Sequence, residues 1–244
     1  MSKPNNKEYG NRAVAFIDIL GFAGMVQRMD KSGDDYNTLM YALKKIKKYQ
    51  EFAGNEITVQ SKLEISVFSD CIAISCKPKH IFSILWSCGY LFGDLLFSGI
   101  ALRGGIATGK LHHTNGIIFG ESLIEAYNIE TKVAIYPRIV ISSEAKELLP
   151  VGANKFIKQD SDGLFCLNSF AFHPVPPGAD MLLSDGYNPR VEYLRQVQKH
   201  IETNIASAVK LDHKAKWNWL ATQYNNALDV ERSDLGGELE KINA

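Results

Sequence analysis

The sequence has little cysteine and no surplus charge of either sign. Its 4 cysteines, Cys71, Cys76, Cys88 and Cys166, form no C-x-x-C pair. They read as free buried thiols in a reducing cytosol, so a cytoplasmic location is expected. Lys+Arg and Asp+Glu both total 27, for a formal net charge of +0. That excludes the basic surface on which general nucleic-acid binding depends, and no nucleic-acid partner is expected. The amino terminus, MSKPNNKEYGNR, lacks the apolar core of a signal peptide. The longest weakly charged run spans 81–102, but Asp94 and the glycines Gly89, Gly93 and Gly99 interrupt it. It reads as a buried core helix, and no direct membrane insertion is expected. What is present is 244 residues with 45% apolar content, enough for one large domain or a domain with an extension.

Periodicity divides the chain. Residues 12–19 (RAVAFIDI) read as a buried strand. Residues 34–53 read as an amphipathic helix, with Leu39, Leu43, Ile46 and Tyr49 near one face and the lysines mostly opposite. In 62–77, Leu63, Ile65 and Val67 alternate before Ser69-Asp70, and Ile72 and Ile74 alternate after it. That predicts two strands joined by a turn. A buried helix over about 79–97 follows, then the strand ALRGGIATGKLHH and a turn at Thr114-Asn115-Gly116. Residues 120–134 predict a helix and PRIVIS another strand, with Pro137 at its start. A hairpin over 155–173 turns at Asp160-Ser161-Asp162-Gly163. The order to residue 142 contains the ferredoxin-like split βαβ arrangement, an α+β fold class. A Pro- and Gly-rich stretch marks a linker at 173–189. Beyond it, apolar residues every three or four positions predict long helices around Leu194 and Leu220. The expected organisation is a domain over 1–172, the linker, and a helical C-terminal extension over 190–244.

Two acids stand out. Asp18 ends the apolar run AFIDI before Leu20-Gly21-Phe22, and Asp70 sits at the tip of the predicted hairpin. Each has an ordinary reading alone, as a helix cap or as turn chemistry. In a split βαβ sheet, however, the first strand lies beside the hairpin, so the two carboxylates can meet. Like charges brought together repel unless cations sit between them. Carboxylate oxygens suit hard cations such as Mg²⁺ or Mn²⁺. Gly21 permits close approach of a phosphate-bearing ligand to the backbone. The pair His112-His113 has no third ligand at metal spacing and reads as loop polarity.

These stretches resemble the class III nucleotidyl cyclases. FIDILGF is similar to that family's strand-to-helix signature, and FSDCIAIS to its hairpin, with Ser69-Asp70 where Gly-Asp is usual. LRGGIATGKL and FGESLIEAYNIE resemble its next strand and helix, in the family's order over about 12–168. The wider style, with AYNIE, YPRIVIS and the tryptophan-bearing tail, is closest to the bacterial antiphage pyrimidine cyclases called Pycsar cyclases. The resemblance implies a phosphorus-oxygen lyase that closes a nucleoside triphosphate to a 3′,5′-cyclic nucleotide and pyrophosphate. It implies two divalent ions per site, Mn²⁺ or Mg²⁺, held by Asp18, Asp70 and the Ile19 carbonyl. It implies that amides of Leu20, Gly21 and Phe22 cradle phosphate. It also implies a homodimer with composite sites and a separate effector that responds to the cyclic nucleotide.

The family's helix supplies an Asn and, four residues on, an Arg to the partner's site. Ile124 and Asn128 stand at those positions. Asn128 and Lys132 restore a polar pair at the same spacing if the helix is slipped by one turn, and Arg103 and Arg138 are further candidates. The base-reading positions of purine cyclases align with Ser66 and Ile117. Ser66 is short and Ile117 is apolar, so the purine-reading pair is missing and a pyrimidine is expected. UTP giving cyclic UMP is favoured, with CTP giving cyclic CMP next. The alternatives are a cytidylate or adenylate cyclase, or a catalytically weak or inactive domain that binds nucleotide and signals through its tail.

Overall fold

The computed structural model describes residues 8–30, 33–53, 63–172, 188–231 and 239–243. Its centre is strand β1 (Gly10–Ile19), whose alternating side chains serve two faces. Ala13, Ala15, Ile17 and Ile19 enter the main core, whereas Val14 belongs to a second buried cluster, with Phe16 packed against it. Helices α1 (Phe22–Arg28) and α2 (Gly33–Ala53) follow, then strands β2 (Glu64–Phe68) and β3 (Cys71–Cys76). Helix α3 (Ile81–Leu96) leads to the long strand β4 (Leu102–Thr114). The strand order β2-β3-β1-β4 is antiparallel throughout. That is the ferredoxin-like split βαβ sheet, and it sets the β2–β3 turn beside the end of β1.

Helix α3 is apolar almost all round because it is the core. Ile81, Ile84, Leu85, Cys88, Leu91 and Phe92 are each 2% exposed or less. Burial of such side chains stabilises by about 1.5–3 kcal/mol each. Asp94, the one acid in this helix, pairs with Lys45 of α2 at 3.1 Å. Of the expected α2 stripe, Leu39 and Ile46 are buried, and Leu43 and Tyr49 pack partly buried against the core. No helix among the described residues is long and apolar enough to cross a membrane.

Strand β5 (Ile117–Gly120) folds back on β4, and helix α4 (Glu121–Lys132) lies over the second face. Gly105 makes this docking possible. A Cβ there would stand 2.4 Å from the Ala126 carbonyl oxygen. Strand β6 (Ile139–Ile141) runs parallel to β4, and helix α5 (Ser143–Glu147) follows, capped by Ser142. Strands β7 (Ile157–Gln159) and β8 (Phe165–Leu167) complete the sheet as the expected hairpin.

Helices α6 (Pro189–Ser207) and α7 (Leu211–Glu231) form the C-terminal helical extension. Val191, Leu194, Val197, Leu220 and Tyr224 join the same buried cluster as the sheet. Arg190 joins the start of α6 to Glu231 at the end of α7 and to the Phe170 carbonyl. Residues 173–187 of the expected linker lie outside the described residues. Asn188 caps α6, and Pro189 is its first residue.

The structure adds three elements to the sequence reading. Helix α1 has no buried residue, so it leaves no amphipathic trace. Strand β5 and helix α5 span four and five residues, too short for periodicity to register. His112 and His113 lie in β4, as the strand reading of ALRGGIATGKLHH has them, and it is their reading as loop polarity that is corrected. β4 runs on past its pairing with β1 and pairs with β5, His113 standing opposite Ile118. His113 is buried.

Candidate active site

β1 delivers Asp18 opposite Cys71 on β3 and opposite Arg103 on β4. The β2–β3 turn places Asp70 next to it. Ser69 takes a left-handed conformation at φ 57°, and the Ile19 amide donates to the Asp70 carbonyl at 3.2 Å. Ligand atoms of Asp18, Asp70 and Cys71 lie within 4.8 Å of one another. The expected meeting of the two carboxylates is therefore what the sheet produces.

The electrostatics are those of a site short of positive charge. Burial pushes the Asp18 carboxyl up, Arg103 draws it down, and Asp70 pushes it up again. The donor set fits a hard divalent cation, which would relieve the repulsion between the two carboxylates. The Cys71 thiol stands 4.0 Å from Asp18 Oδ1 and 3.8 Å from Asp70 Oδ1. Burial and both carboxylates push it up to about 12, so it stays a neutral thiol beside the acids.

Arg103 Nε lies 3.1 Å from Asp18 Oδ2 and 2.6 Å from Glu130 Oε1. Glu130 comes from α4 and is pushed up to about 7, mainly by burial and then by Asp18 and Asp70, against the pull of Arg103. The sequence reading did not single out Glu130. Its signal was there: Ser122, Ala126 and Glu130 recur every four residues and form the buried stripe of α4.

Leu20, Gly21 and Phe22 line a cleft of about 730 Å³ together with Asp18, Asp70 and Arg103. Gly21 holds φ 81°, where a side chain is strained, and no atom lies within 4 Å of where its Cβ would be. The Leu20 amide donates to the Ala101 carbonyl at 3.0 Å. It is thus engaged within the sheet, so the expected phosphate cradle loses the Leu20 amide. The far wall of the cleft comes from the C-terminal helices, through His200, Asn204, Lys210, His213 and Trp217. The sequence reading assigned those helices no site residue, because solvent-facing Lys and His in a turn carry no periodic signal.

The remaining predicted residues lie elsewhere. Ser66 is 3% exposed and is hydrogen-bonded to His113 Nε2 at 2.9 Å, while Ser75 reaches His113 Nδ1 at 2.7 Å. Ile117 is 60% exposed on β5. Asn128 and Lys132 ride on α4, half-buried and exposed respectively. None of these four lines the cleft. Arg138 is buried and reaches Asp160 at 2.8 Å and Asp162 at 2.5 Å, so it clamps the β7–β8 turn. Exposed apolar side chains gather on β5 and α4, namely Ile117, Phe119, Ile124 and Tyr127.

No protein-family model matches the chain, and no curated protein does. Solved structures similar to parts of the chain are the following. A bacterial light-regulated adenylyl cyclase is 13% identical, with a TM-score of 0.42 over 66% of this chain and 91% of that one. A second structure of that description is 12% identical, with a TM-score of 0.42 over 79% of this chain and 56% of that one. A class III adenylyl cyclase-like ATP-binding protein from Pseudomonas aeruginosa is 14% identical, with a TM-score of 0.38 over 63% and 37%. At these identities the likeness bears on no side chain of the site.

Proposed function

We propose that this chain is a metal-dependent nucleotidyl cyclase acting on a pyrimidine nucleoside triphosphate, UTP before CTP. The observation that carries the reading is the convergence of Asp18, Asp70 and the Gly21 turn in the lining of one cleft. Asp18 and Asp70 hold two divalent ions, Mn²⁺ or Mg²⁺, with the Ile19 carbonyl as a further ligand. Such ions acidify a ribose 3′-hydroxyl and screen the triphosphate charge when bound. The Gly21 and Phe22 amides face phosphate oxygens. Arg103 keeps Asp18 oriented through its 3.1 Å contact. The 3′-oxygen bonds to the α-phosphorus, the bond from that phosphorus to the β-phosphate oxygen breaks, and pyrophosphate leaves. The hydroxyl proton passes to solvent.

The pyrimidine preference rests on the sequence resemblance, in which Ser66 and Ile117 stand at the purine-reading positions; neither lines the cleft described above. The Ser66 hydroxyl is engaged by His113, and Ile117 has no polar group. The exposed apolar residues of β5 and α4 support a homodimer in which Asn128 and Lys132 complete the partner's site. A role in antiphage defence, through a separate cyclic-nucleotide-responsive effector, rests on the sequence resemblance. A cytoplasmic location rests on the free cysteines.

One observation favours a second reading, a nucleotide-binding signalling domain without turnover. Asn128 stands where the resemblance puts the transition-state Arg, and Arg103 is held by two acids. A four-way competition of ATP, GTP, CTP and UTP with Mn²⁺ decides, with products resolved by mass spectrometry. Cyclic UMP with matching pyrophosphate is expected. Cyclic AMP or cyclic GMP as the main product overturns the pyrimidine assignment. Tight binding with no cyclic product establishes the second reading.

A further inference from the structure

We propose that the turn between α6 and α7 and the start of α7 are part of the same site, with Lys210 and His213 binding the polyphosphate end of the nucleoside triphosphate and the pyrophosphate it releases. The inference rests on the reading of the cleft as a triphosphate site. Charge is the first argument. A triphosphate brings several negative charges into a cleft that already holds Asp18 and Asp70. The cations on the sheet side are already engaged. Arg28 makes a two-pronged contact with Asp35 at 2.9 and 3.1 Å, and Arg103 is shared by Asp18 and Glu130. Lys210 lines the cleft and makes no ion pair among the described residues. The nearest acid to His213 is its chain neighbour Asp212, at 3.9 Å and exposed. Among the described residues, Lys210 is thus a cation of the cleft without an ion pair and His213 has only this long, exposed contact, and a flexible ammonium or an imidazole suits a terminal phosphate.

Placement is the second argument. The wall that carries them is seated on the fold. His200 of α6 packs on the turn that follows α3, where a Cβ at Gly99 would stand 2.8 Å from its Nδ1. Phe97 and Tyr193 stack at 6.1 Å, Ile201 is buried, and Trp217 packs against the main core. That packing seats the α6–α7 turn in the lining of the cleft that Gly21, Asp18 and Asp70 also line.

The test uses the full chain loaded with Mn²⁺ and calorimetric titration with two probes. One is 3′-deoxy-UTP, which cannot cyclise, and the other is pyrophosphate. The variants are Lys210→Ala with His213→Ala, Lys210→Glu alone, and Asp18→Asn with Asp70→Asn. Both wall residues are exposed, so the fold is expected to survive, and circular dichroism checks it. The wall double variant should weaken both probes by about tenfold or more, as loss of charge-assisted contacts does, and Lys210→Glu should weaken them further. Affinities within about twofold of wild type, with binding still abolished by the Asp18/Asp70 variant, overturn this inference and leave the cleft reading standing. Loss of 3′-deoxy-UTP affinity with pyrophosphate affinity unchanged also overturns it, because the wall would then read the nucleoside. Absence of binding by the wild type overturns the cleft reading and this inference together.

Discussion

Asp18 is pulled in opposite directions by its surroundings. Burial and Asp70 favour its protonated form, and Arg103 favours the charged form. A divalent cation settles that contest, so removal of either carboxylate charge should act on metal binding first. We expect Asp18→Asn and Asp70→Asn each to abolish turnover and Mn²⁺ binding with little change in circular dichroism. A folded variant with near wild-type activity would remove the metal pair from the mechanism. His113 gives a second residue-level expectation. Its imidazole is lowered to about 4 by burial, then by Arg12 and by His112. The folded chain therefore refuses a proton that the unfolded chain accepts below its usual value of 6.5. Stability from this group is complete above pH 6.5 and is lost as pH falls toward 4. His113→Gln leaves Ser66 or Ser75 unpaired, at about 1–3 kcal/mol near neutral pH. The gap in melting temperature between variant and wild type should narrow as pH drops through that window. A gap that stays constant with pH would mean that His113 does not titrate as its burial demands.

At the scale of elements, the decisive contact is α4 on β4. Gly105 leaves room for the Ala126 carbonyl and for Ile129, whose Cβ would lie 2.7 Å from an added Cβ. Backbone cannot yield as a side-chain tip does, so Gly105→Ala must lift the helix. The expected loss is about 1–3 kcal/mol, read as a fall in melting temperature of about 2–4 °C for each kcal/mol in a chain of this size. The same shift would carry Glu130 away from Arg103, so activity should fall further than stability alone accounts for. An unchanged melting temperature would mean that α4 is not seated as described.

At the scale of the whole molecule, the proposed site is divided between surfaces. Asp18 and Asp70 line the cleft, whereas Asn128 and Lys132 stand on α4 beyond it. If the latter serve a partner, two inactive chains can repair each other. We expect an Asp70→Asn chain mixed with a Lys132→Ala chain to recover activity once subunits exchange. No recovery after proven exchange, or a monomer by light scattering at working concentration, would count against shared sites.

Much of the fold was legible in the chain because it depends on local pattern. Alternation in RAVAFIDI and around Ser69-Asp70 marks strands, and spacing of three and four residues marks α2, α6 and α7. The order of those elements is enough to set β1 between β3 and β4, and with it the meeting of Asp18 and Asp70. What pattern could not supply is which charges share one space. Glu130 reaches Arg103 only because Gly105 lets α4 rest on the sheet, and His113 finds Ser66 only because β4 outruns β1. Lys210 and His213 line the cleft only because α6 is seated against the turn at Gly99. Local sequence determines the elements, since propensity and burial period act over a few neighbouring residues. The partners of a buried or converging charge come from distant segments, and the docking of those segments alone decided them.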